Sequence, residues 1–349
     1  MKEGWEYKKL GEVCQILDSL RKPVTKKDRK KGIFPYYGAS GIQDYVDSYI
    51  FDGRYLLVGE DGAKWGASDR SAYIIEGKCW VNNHAHILKV SDSLNDKLIE
   101  YYLTYKDLSE YITGAIVPKL TQKALTAIPI PIPPLSEQQR IVEELDLLSS
   151  IIEKKRVQLK ELDNLAQSIF YDMFGDPVTN EKGWEVKRLG EVYKLKSGEG
   201  LSAKQFVSGP IPVYGGNGIS GHHNSYNMDG DYVIIGRVGV YCGNVRYVKG
   251  KFWLTDNAFQ LFYDMSKQHP VFITYMLTYL NLHQYANHAA QPVISNATLK
   301  EVNIIFPPFS LQQRFASKIE ALEQQKDLIK QSINVLETLF NSRMDYYFK

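Results

Sequence analysis

Apolar residues recur at an alternating four-three spacing in two stretches of this 349-residue chain. In the first, Ile141, Leu145, Leu148, Ile152, Leu159, Leu162, Ala166 and Ile169 form one stripe, broken only by Lys155. In the second, Phe315, Ile319, Leu322, Ile329, Ile333, Leu336 and Phe340 do the same, broken only by Lys326. A four-three spacing held for about four heptads is a coiled-coil seam, whereas a helix packed on its own domain shows a wider apolar face. The narrow stripe predicts two long helices that pair with each other. Each has a start signal: Ser136 and Gln139 after Pro133-Pro134, and Ser310 and Gln313 after Pro307-Pro308, have capping-box spacing. The first helix stops at Phe174-Gly175-Asp176-Pro177, where Gly suits the cap and Pro forbids continuation.

Elsewhere the pattern is short and β-rich. Tyr55-Leu56-Leu57-Val58 and Tyr232-Val233-Ile234-Ile235 are bounded by glycines, as strands ending in turns are. One further helical stretch is predicted in each half, Asp96 to Ile112 and Pro270 to Tyr285.

These two halves are copies. Gly4-Trp5-Glu6 to Leu10-Gly11-Glu12-Val13 returns as Gly183-Trp184-Glu185 to Leu189-Gly190-Glu191-Val192, and Pro35-Tyr36-Tyr37-Gly38 returns as Pro212-Val213-Tyr214-Gly215. Tyr55 to Gly66 matches Tyr232 to Gly243 with three glycines in register, Gly77 to Trp80 matches Gly250 to Trp253, and Tyr101 to Phe174 aligns with Tyr275 to Phe348 without a gap. So many matches in one order define a tandem duplication. The expected organisation is a domain at 1–134, a helix at 135–174, a hinge at 175–183, a second domain at 184–308 and a second helix at 309–349. The expected fold class is α+β: two α/β domains, related by a pseudo-twofold axis and separated by an antiparallel coiled coil of the two long helices.

Composition narrows the classes. A hydrophobic fraction of 44% and an aromatic fraction of 12% are globular values that exclude a disordered chain. No apolar run reaches the roughly 18 residues of a membrane span, and Met1 to Gly11 has no apolar secretory stretch, so no membrane partner and a cytoplasmic location are expected. Cys14, Cys79 and Cys242 are far apart and form no CxxC pair, which predicts reduced thiols. The net charge of +2 is near neutral, but Arg21 to Lys31 gathers seven basic residues and one acid.

Chemical motifs mostly fail. Phe306-Pro307-Pro308-Phe309 looks like the Asn/Asp-Pro-Pro-Phe/Tyr of adenine methylation but lacks the polar first residue, and its twin is Ile132-Pro133-Pro134-Leu135. Gly216 to Gly221 fits GxGxxG, yet His222-His223-Asn224-Ser225 follows in place of an apolar helix. His84-x-His86 would put two imidazoles on one strand face and His222-His223 are adjacent, but neither pair has a third ligand at metal spacing, so no metal and no catalytic residue are assigned.

The Gly-Trp to Leu-Gly-Glu-Val openings, the Pro-Pro-x-Ser-x-Gln-Gln-Arg helix starts and the Met173-Phe174-Gly175-Asp176-Pro177 hinge together resemble the DNA-specificity subunits of type I restriction-modification systems over essentially the whole chain. The resemblance implies two target-recognition domains, each reading one half of a bipartite double-stranded DNA site with a non-specific spacer. It implies helices that set that spacer and dock two modification (methyltransferase) subunits, and via them restriction subunits. S-adenosylmethionine, ATP and Mg are then expected on the partner subunits alone, and this chain is a non-catalytic subunit of an adenine methyltransferase and restriction complex. A helix of about 34 residues spans roughly 50 Å at about 1.5 Å per residue, more than one DNA turn of about 34–36 Å. The rival reading is a coiled-coil scaffold whose twin domains bind a ligand other than DNA.

Base reading calls for Asn, Gln, Arg, Lys and aromatic side chains on exposed loops. The positions where the repeats differ beside shared glycines are Ser40, Gln43, Lys64, Asn83, His84 and Lys119 in the first half, and Asn217, His222, Asn224, Arg237, Asp256, Asn257 and Gln291 in the second. Phosphate contacts, which position without specifying, are expected from Lys22, Lys26, Lys27, Arg29, Lys30, Lys187 and Arg188.

Overall fold

The computed structural model describes residues 4–287 and 290–349; the first three residues of the expected first domain, and of the Met1 to Gly11 stretch, lie outside it. The chain forms two compact units, Met1–Arg156 with Ser332–Lys349, and Val157–Gln331. Among the described residues no helix is long and apolar enough to cross a membrane.

The first unit is built on a six-stranded sheet of β1 (Cys14–Ile16), β2 (Lys31–Gly38), β3 (Gly41–Val46), β4 (Phe51–Gly59), β5 (Ala72–Val81) and β6 (Ala85–Val90), in the order β1-β6-β4-β5-β2-β3. All neighbours are antiparallel except β2 and β5, which pair in parallel through Tyr36 opposite Trp80. Strand β4 is flanked on both sides and both its faces are covered, so Leu56, Leu57 and Val58 are all fully buried and the strand reads as a continuous apolar run. Leu56 and Val58 face the main core, while Leu57 belongs to a smaller cluster with Phe51, Tyr73, Ile75 and Ile87 on the other face.

The second unit repeats the arrangement with β7 (Lys194–Ser197), β8 (Ile211–Gly215), β9 (Gly218–His223), β10 (Met228–Gly236), β11 (Val245–Leu254) and β12 (Ala258–Phe262), in the order β7-β12-β10-β11-β8-β9. The parallel pair recurs as Val213 opposite Trp253. The duplication seen in the sequence is therefore one of topology and register.

Each sheet carries a helix, α1 (Asp96–Tyr105) in the first unit and, in the second, one that spans Pro270–Tyr279. Both are shorter than the sequence suggested. After Tyr105 the chain turns so that Leu108 is fully buried, with its N–H donating to the Trp65 carbonyl at 2.8 Å, and a 3-10 turn Ser109–Tyr111 follows. In the second unit Asn281 adopts φ +53° and a 3-10 turn Leu282–Tyr285 follows. Burying one apolar residue and a left-handed break outweigh the helical periodicity that continues past them.

The long helices are α2 (Leu135–Phe174), α3 being the Pro270–Tyr279 helix, and α4 (Phe309–Phe348), 40 residues each in the case of α2 and α4. They open one residue before the serines, which places Ser136 and Ser310 inside the first turn and not at the cap. The entrance is sealed by the first glutamine of each Gln-Gln pair. Gln138 is buried, donates to the Pro133 carbonyl at 2.9 Å and accepts from the Asn95 N–H at 2.9 Å. Gln312, fully buried, donates to the Pro307 carbonyl at 2.9 Å and accepts from the His269 N–H at 2.9 Å. One buried amide thus ties the start of each long helix to the start of α1 or α3.

Within each unit the two long helices run antiparallel. In the first, Glu144 meets Arg343 and Tyr347 while Arg156 meets Glu337 at 2.7 Å, so numbers rise on α2 as they fall on α4. In the second, Asp163 meets Lys326 at 2.7 Å and Phe170 meets Phe315. Ile141, Leu145, Leu148, Ile152, Phe315, Ile319, Leu322, Ile329 and Ile333 are buried, and Leu159, Leu162 and Leu336 are half-buried.

The helix ends do more than form a seam. Ile141, Val142 and Leu145 from α2 and Met344, Tyr347 and Phe348 from α4 belong to the core of the first domain, and Ala166, Phe170, Phe174 and Phe315 to that of the second. Packing on the partner helix and packing on a domain, which the spacing set against each other, both occur along one helix. Lys326 breaks the stripe yet is buried to 14% side-chain exposure; burial works against its charge, but hydrogen bonds to Asp163 and Glu323 outweigh it and hold the ammonium well above its ordinary value. A satisfied cation in a seam fixes register at some cost in stability.

Glu144 makes the helix pairing of the first unit pH-dependent. Hydrogen bonds from Arg343 lower its carboxyl below the ordinary value of 4.5, burial opposes them, and the Tyr347 hydroxyl adds to the lowering. A depressed folded value means that the stabilisation is present above the unfolded value and is lost as pH falls through the folded one. The melting-temperature gap between wild type and Glu144→Gln should therefore shrink between pH 7 and pH 3; a constant gap would show that the carboxylate contributes nothing to the pairing.

Cys14, Cys79 and Cys242 are free and buried. Burial pushes the Cys14 and Cys79 thiols up to about 12, which leaves them unreactive.

Candidate nucleic-acid interface

In the first unit the loop after β4 is the centre of the site. Gly59 must be glycine because a Cβ there would lie 2.4 Å from the Ala63 Cβ, so the loop folds directly over the strand end. The next residue, Glu60, is buried and receives two cations: Arg21 Nη1 at 2.6 Å on Oε2 and Lys119 Nζ at 2.7 Å on Oε1. The Glu60 carboxylate lifts the Lys119 ammonium above its ordinary value. Arg21 also donates to the Ala85 carbonyl at 2.6 Å and reaches Asp18 at 3.3 Å. Asp18 in turn bonds His86 Nδ1 at 2.5 Å and accepts from the Ile87 N–H at 3.0 Å, while His86 Nε2 bonds the Leu120 carbonyl at 2.7 Å. Donor atoms of Asp18, Glu60 and His86 lie within 4.8 Å of one another, a spacing open to a cation. The positive charge such a group needs is supplied by Arg21 and Lys119.

Around this network the polar loop residues converge. Asn82 is buried, donates to Gln43 Oε1 at 3.1 Å and accepts from the His84 N–H at 2.8 Å. His84 bonds Asp61, and Asp61 pairs with Lys119 in an isolated bridge. Gln43, Asn83, His84 and Lys119 therefore share one edge, with Ser40 on the adjoining hairpin turn and Lys64 in the loop over Gly59; all but the half-buried Lys119 are exposed. The two imidazoles of His84-x-His86 do not share a face: His84 is exposed at the turn, and His86 is buried on β6.

The second unit has the same backbone and different side chains. The Arg237 N–H donates to the Asn257 carbonyl at 3.0 Å, as the Glu60 N–H does to the His84 carbonyl at 2.9 Å. Arg237 Nη1 donates to Ser197 Oγ at 3.1 Å, its guanidinium lies 4.9 Å from the Phe259 ring centroid, and its Nε is buried without a partner. A Cβ on Gly236 would lie 2.1 Å from the Gly216 carbonyl, which brings the Gly216-Asn217 turn against Arg237. Gly239 N–H donates to the Pro292 carbonyl at 2.9 Å, which adds the segment of Gln291. Asn217, Arg237, Asp256, Asn257 and Gln291 are thus gathered.

His222 and Asn224 are not. They sit at the far end of the β8–β9 hairpin, where His222 pairs with Pro212, about 13 Å along a strand at about 3.3 Å per residue from the Gly215–Gly218 end. GxGxxG here is the turn and second strand of that hairpin, with no helix after it.

The basic segment divides in two. Lys22, Lys26, Lys27 and Lys30 are exposed. Arg29 turns inward, donating to the Val24 carbonyl at 3.1 Å, pairing with Asp44 at 3.3 Å and lying 4.2 Å from the Tyr36 ring centroid, so it holds the loop that presents the lysines. Lys187 and Arg188 lie on a separate two-stranded ribbon, Val186–Arg188 with Asn303–Ile305, and pair with Glu185 at 3.3 Å and Glu301 at 2.7 Å.

Sequence reasoning met His86 only as half of a His-x-His pair and Arg21 only within the basic run, and passed over Asp18 and Glu60. Glu60 carried a signal, since it follows a shared glycine and aligns with Arg237 of the repeat.

Two domains of one topology, each with a polar loop cluster of its own and long helices running through both units, define a duplicated recognition protein. The model of the type I restriction modification DNA specificity domain matches residues 2–162 and 181–338, and the chain belongs to that family. It is 29% identical over 371 residues to a type I restriction enzyme specificity subunit of Haemophilus influenzae, covering 98% of this chain and 94% of that one. It is 31% identical over 198 residues to the EcoprrI specificity subunit of Escherichia coli, covering 54% of this chain and 49% of that one. Among solved structures, the S subunit of a type I restriction-modification system from M. genitalium superposes with a TM-score of 0.65 at 17% identity, over 97% of this chain and 95% of that one. A chain from work on the complex assembly and conformational transition of the type I R-M system gives 0.55 at 16% identity, over 100% and 98%. At these identities the two structures speak for the fold.

Proposed function

We propose that the chain is a non-catalytic subunit that reads a bipartite double-stranded DNA site, one half with each domain, and docks two modification subunits and through them restriction subunits. The observation that carries this reading is the pair of loop clusters: one backbone, built twice, with exposed polar side chains that differ at almost every position. Shared scaffolds with unlike side chains suit the reading of two different half-sites. Within the gathered clusters, Gln43, Asn83, His84 and Lys119 are proposed for the first half-site, and Asn217, Arg237, Asn257 and Gln291 for the second. Lys22, Lys26, Lys27 and Lys30 are proposed for phosphates.

Docking of one kind of partner twice is supported by two cavities at equivalent places in the repeat. One of about 740 Å³ lies between α1 and the long helices in the first unit, and one of about 660 Å³ between α3 and α4 in the second. Tyr101, Asp146 and Glu153 line the first where Tyr275, Glu320 and Asp327 line the second. Each sets carboxylates beside a lysine, Asp146 with Lys97 at 2.6 Å in the first and Glu320 and Asp327 with Lys249 in the second, so both present mixed charge to a partner.

Co-expression with a type I modification (methyltransferase) subunit, followed by genome-wide mapping of methyladenine, tests the reading; a single uninterrupted motif would overturn it. Exchanging residues 1–132 for the same region of another family member should change one half-site and leave the other intact. If both changed together, the one-domain-per-half-site assignment would be wrong. The purified chain alone should neither bind the methyl donor nor methylate DNA.

A further inference from the structure

At the loop after the central strand the two units keep one backbone and exchange a whole set of side chains. The Leu120 N–H donates to the Glu60 carbonyl at 2.8 Å and the Ile294 N–H to the Arg237 carbonyl at 2.8 Å; Asp61 bridges Lys119, and Val238 bridges Val293. Strand register places His86 opposite Val58 and Phe259 opposite Ile235, and carries Asp18 onto Ser197. The Trp80 indole donates to the Lys22 carbonyl at 2.6 Å and the Trp253 indole to the Glu199 carbonyl at 3.1 Å, which sets Arg21 on Gly198. Thus Asp18, Arg21, Glu60, His86 and Lys119 stand where the second unit has Ser197, Gly198, Arg237, Phe259 and Val293.

The exchange is coherent in charge. A buried carboxylate at position 60 needs cations, and Arg21 and Lys119 supply them. With an arginine at the matching place, the second unit drops both cations, turns the carboxylate at 18 into a hydroxyl and the imidazole into a ring on which the guanidinium rests. Either way one cationic head stands at the rim of the loop cluster: the Lys119 side chain is 41% exposed although its Nζ is held by Glu60. Lys119 thus has two faces: it neutralises the buried Glu60 from the rim, and the half-buried Asp18 and Arg21 with the buried His86 hold that carboxylate in place behind it.

We infer that Lys119 and Arg237 are the equivalent base-reading cations of the two domains, and that Glu60, backed by Arg21, Asp18 and His86, is the positioning residue that aims Lys119. Their chemistry suits the O6 and N7 acceptors of guanine in the major groove. This rests on the DNA-reading function proposed above. Each domain then reads with one cation at the same loop cluster, a lysine held from behind by Glu60 in the first and an arginine resting on the Phe259 ring in the second.

Methylome mapping of the complex with its modification subunits tests the inference through Lys119→Ala, Arg237→Ala and Glu60→Gln. Lys119→Ala should relax one base position of the first half-site, with discrimination falling roughly 5- to 150-fold, and should leave the second half-site unchanged. Arg237→Ala should do the reverse. Glu60→Gln, which keeps the shape and removes the charge, should relax the same position as Lys119→Ala, and the double variant should be no more relaxed than Lys119→Ala alone. The intact half-site on the same chain reports that the complex is folded. A motif unchanged in Lys119→Ala overturns the inference; so does a uniform loss of methylation at all sites, which would make the cluster a structural support alone. If the wild-type complex gives no bipartite motif, the function proposed above falls first.

Discussion

Deleting residues 341–349 will unfold the first domain and leave the second folded. The deletion removes Met344, Tyr347 and Phe348, each under a tenth exposed and each part of the core that also holds Leu56, Tyr102 and Leu145. Phe348 packs edge-on against Tyr102 at 5.6 Å between ring centroids, and Arg343 and Tyr347 close on Glu144. Truncating one buried Phe or Met costs about 2–5 kcal/mol, and whole domains are stable by only about 5–15 kcal/mol. Losing three such side chains exceeds most of that range. Hydrogen exchange resolved by peptide gives the answer: amides of β4 to β6 should lose protection while those of β10 to β12 keep it. Wild-type protection in β4 would show that the first domain is complete without the end of α4.

Phe170→Ala will have the corresponding effect on the second unit. Phe170 is fully buried, and its ring lies 5.2 Å from Phe174, 5.0 Å from Tyr279, 5.6 Å from Phe315 and 6.1 Å from Phe272. Removing it leaves a cavity among four rings that cannot collapse inward together, and costs about 3–5 kcal/mol. The denaturation midpoint of the second unit should fall accordingly, while Leu165→Ala, at a position 45% exposed on the same helix, should barely move it. Equal shifts in the two variants would sink the assignment of Phe170 to the core.

The duplication, the two long helices and the central strands were legible because each is written in local spacing or in repeated words. The four-three stripe gave Ile141, Ile319 and Ile333 their buried positions, but it reports only that a face is covered and not by what. That Phe170 and Phe348 meet a domain as well as a helix depends on chain segments far away in sequence. The ionic network was invisible for the same reason: His86 and Asp18 are 68 residues apart, and Glu60 and Arg21 are 39 apart. Arg21 and Arg29 lie in a run of charge that looks uniformly solvated, yet each turns inward to carboxylates placed by other strands. The repeats picked out polar residues that mostly lie together on the loops, while His222 and Asn224 fell outside the cluster because a six-residue strand carries them away from the hairpin turn.

The dependence of the first domain on α4 also sets an order of events during synthesis. The strands β1 to β6 leave the ribosome before any residue of the second unit, yet Met344, Tyr347 and Phe348 are made more than two hundred residues after Tyr102 and Tyr105. At about 5–20 residues per second, that interval lasts on the order of 10–50 seconds. The domain translated first is thus the one finished last, and an apolar gap stays open on it while the second folds. A chain released early by a frameshift or a stalled ribosome carries an unsealed first domain, exposed to proteases and to holding chaperones, so that only a chain read through to residue 348 presents both domains in finished form.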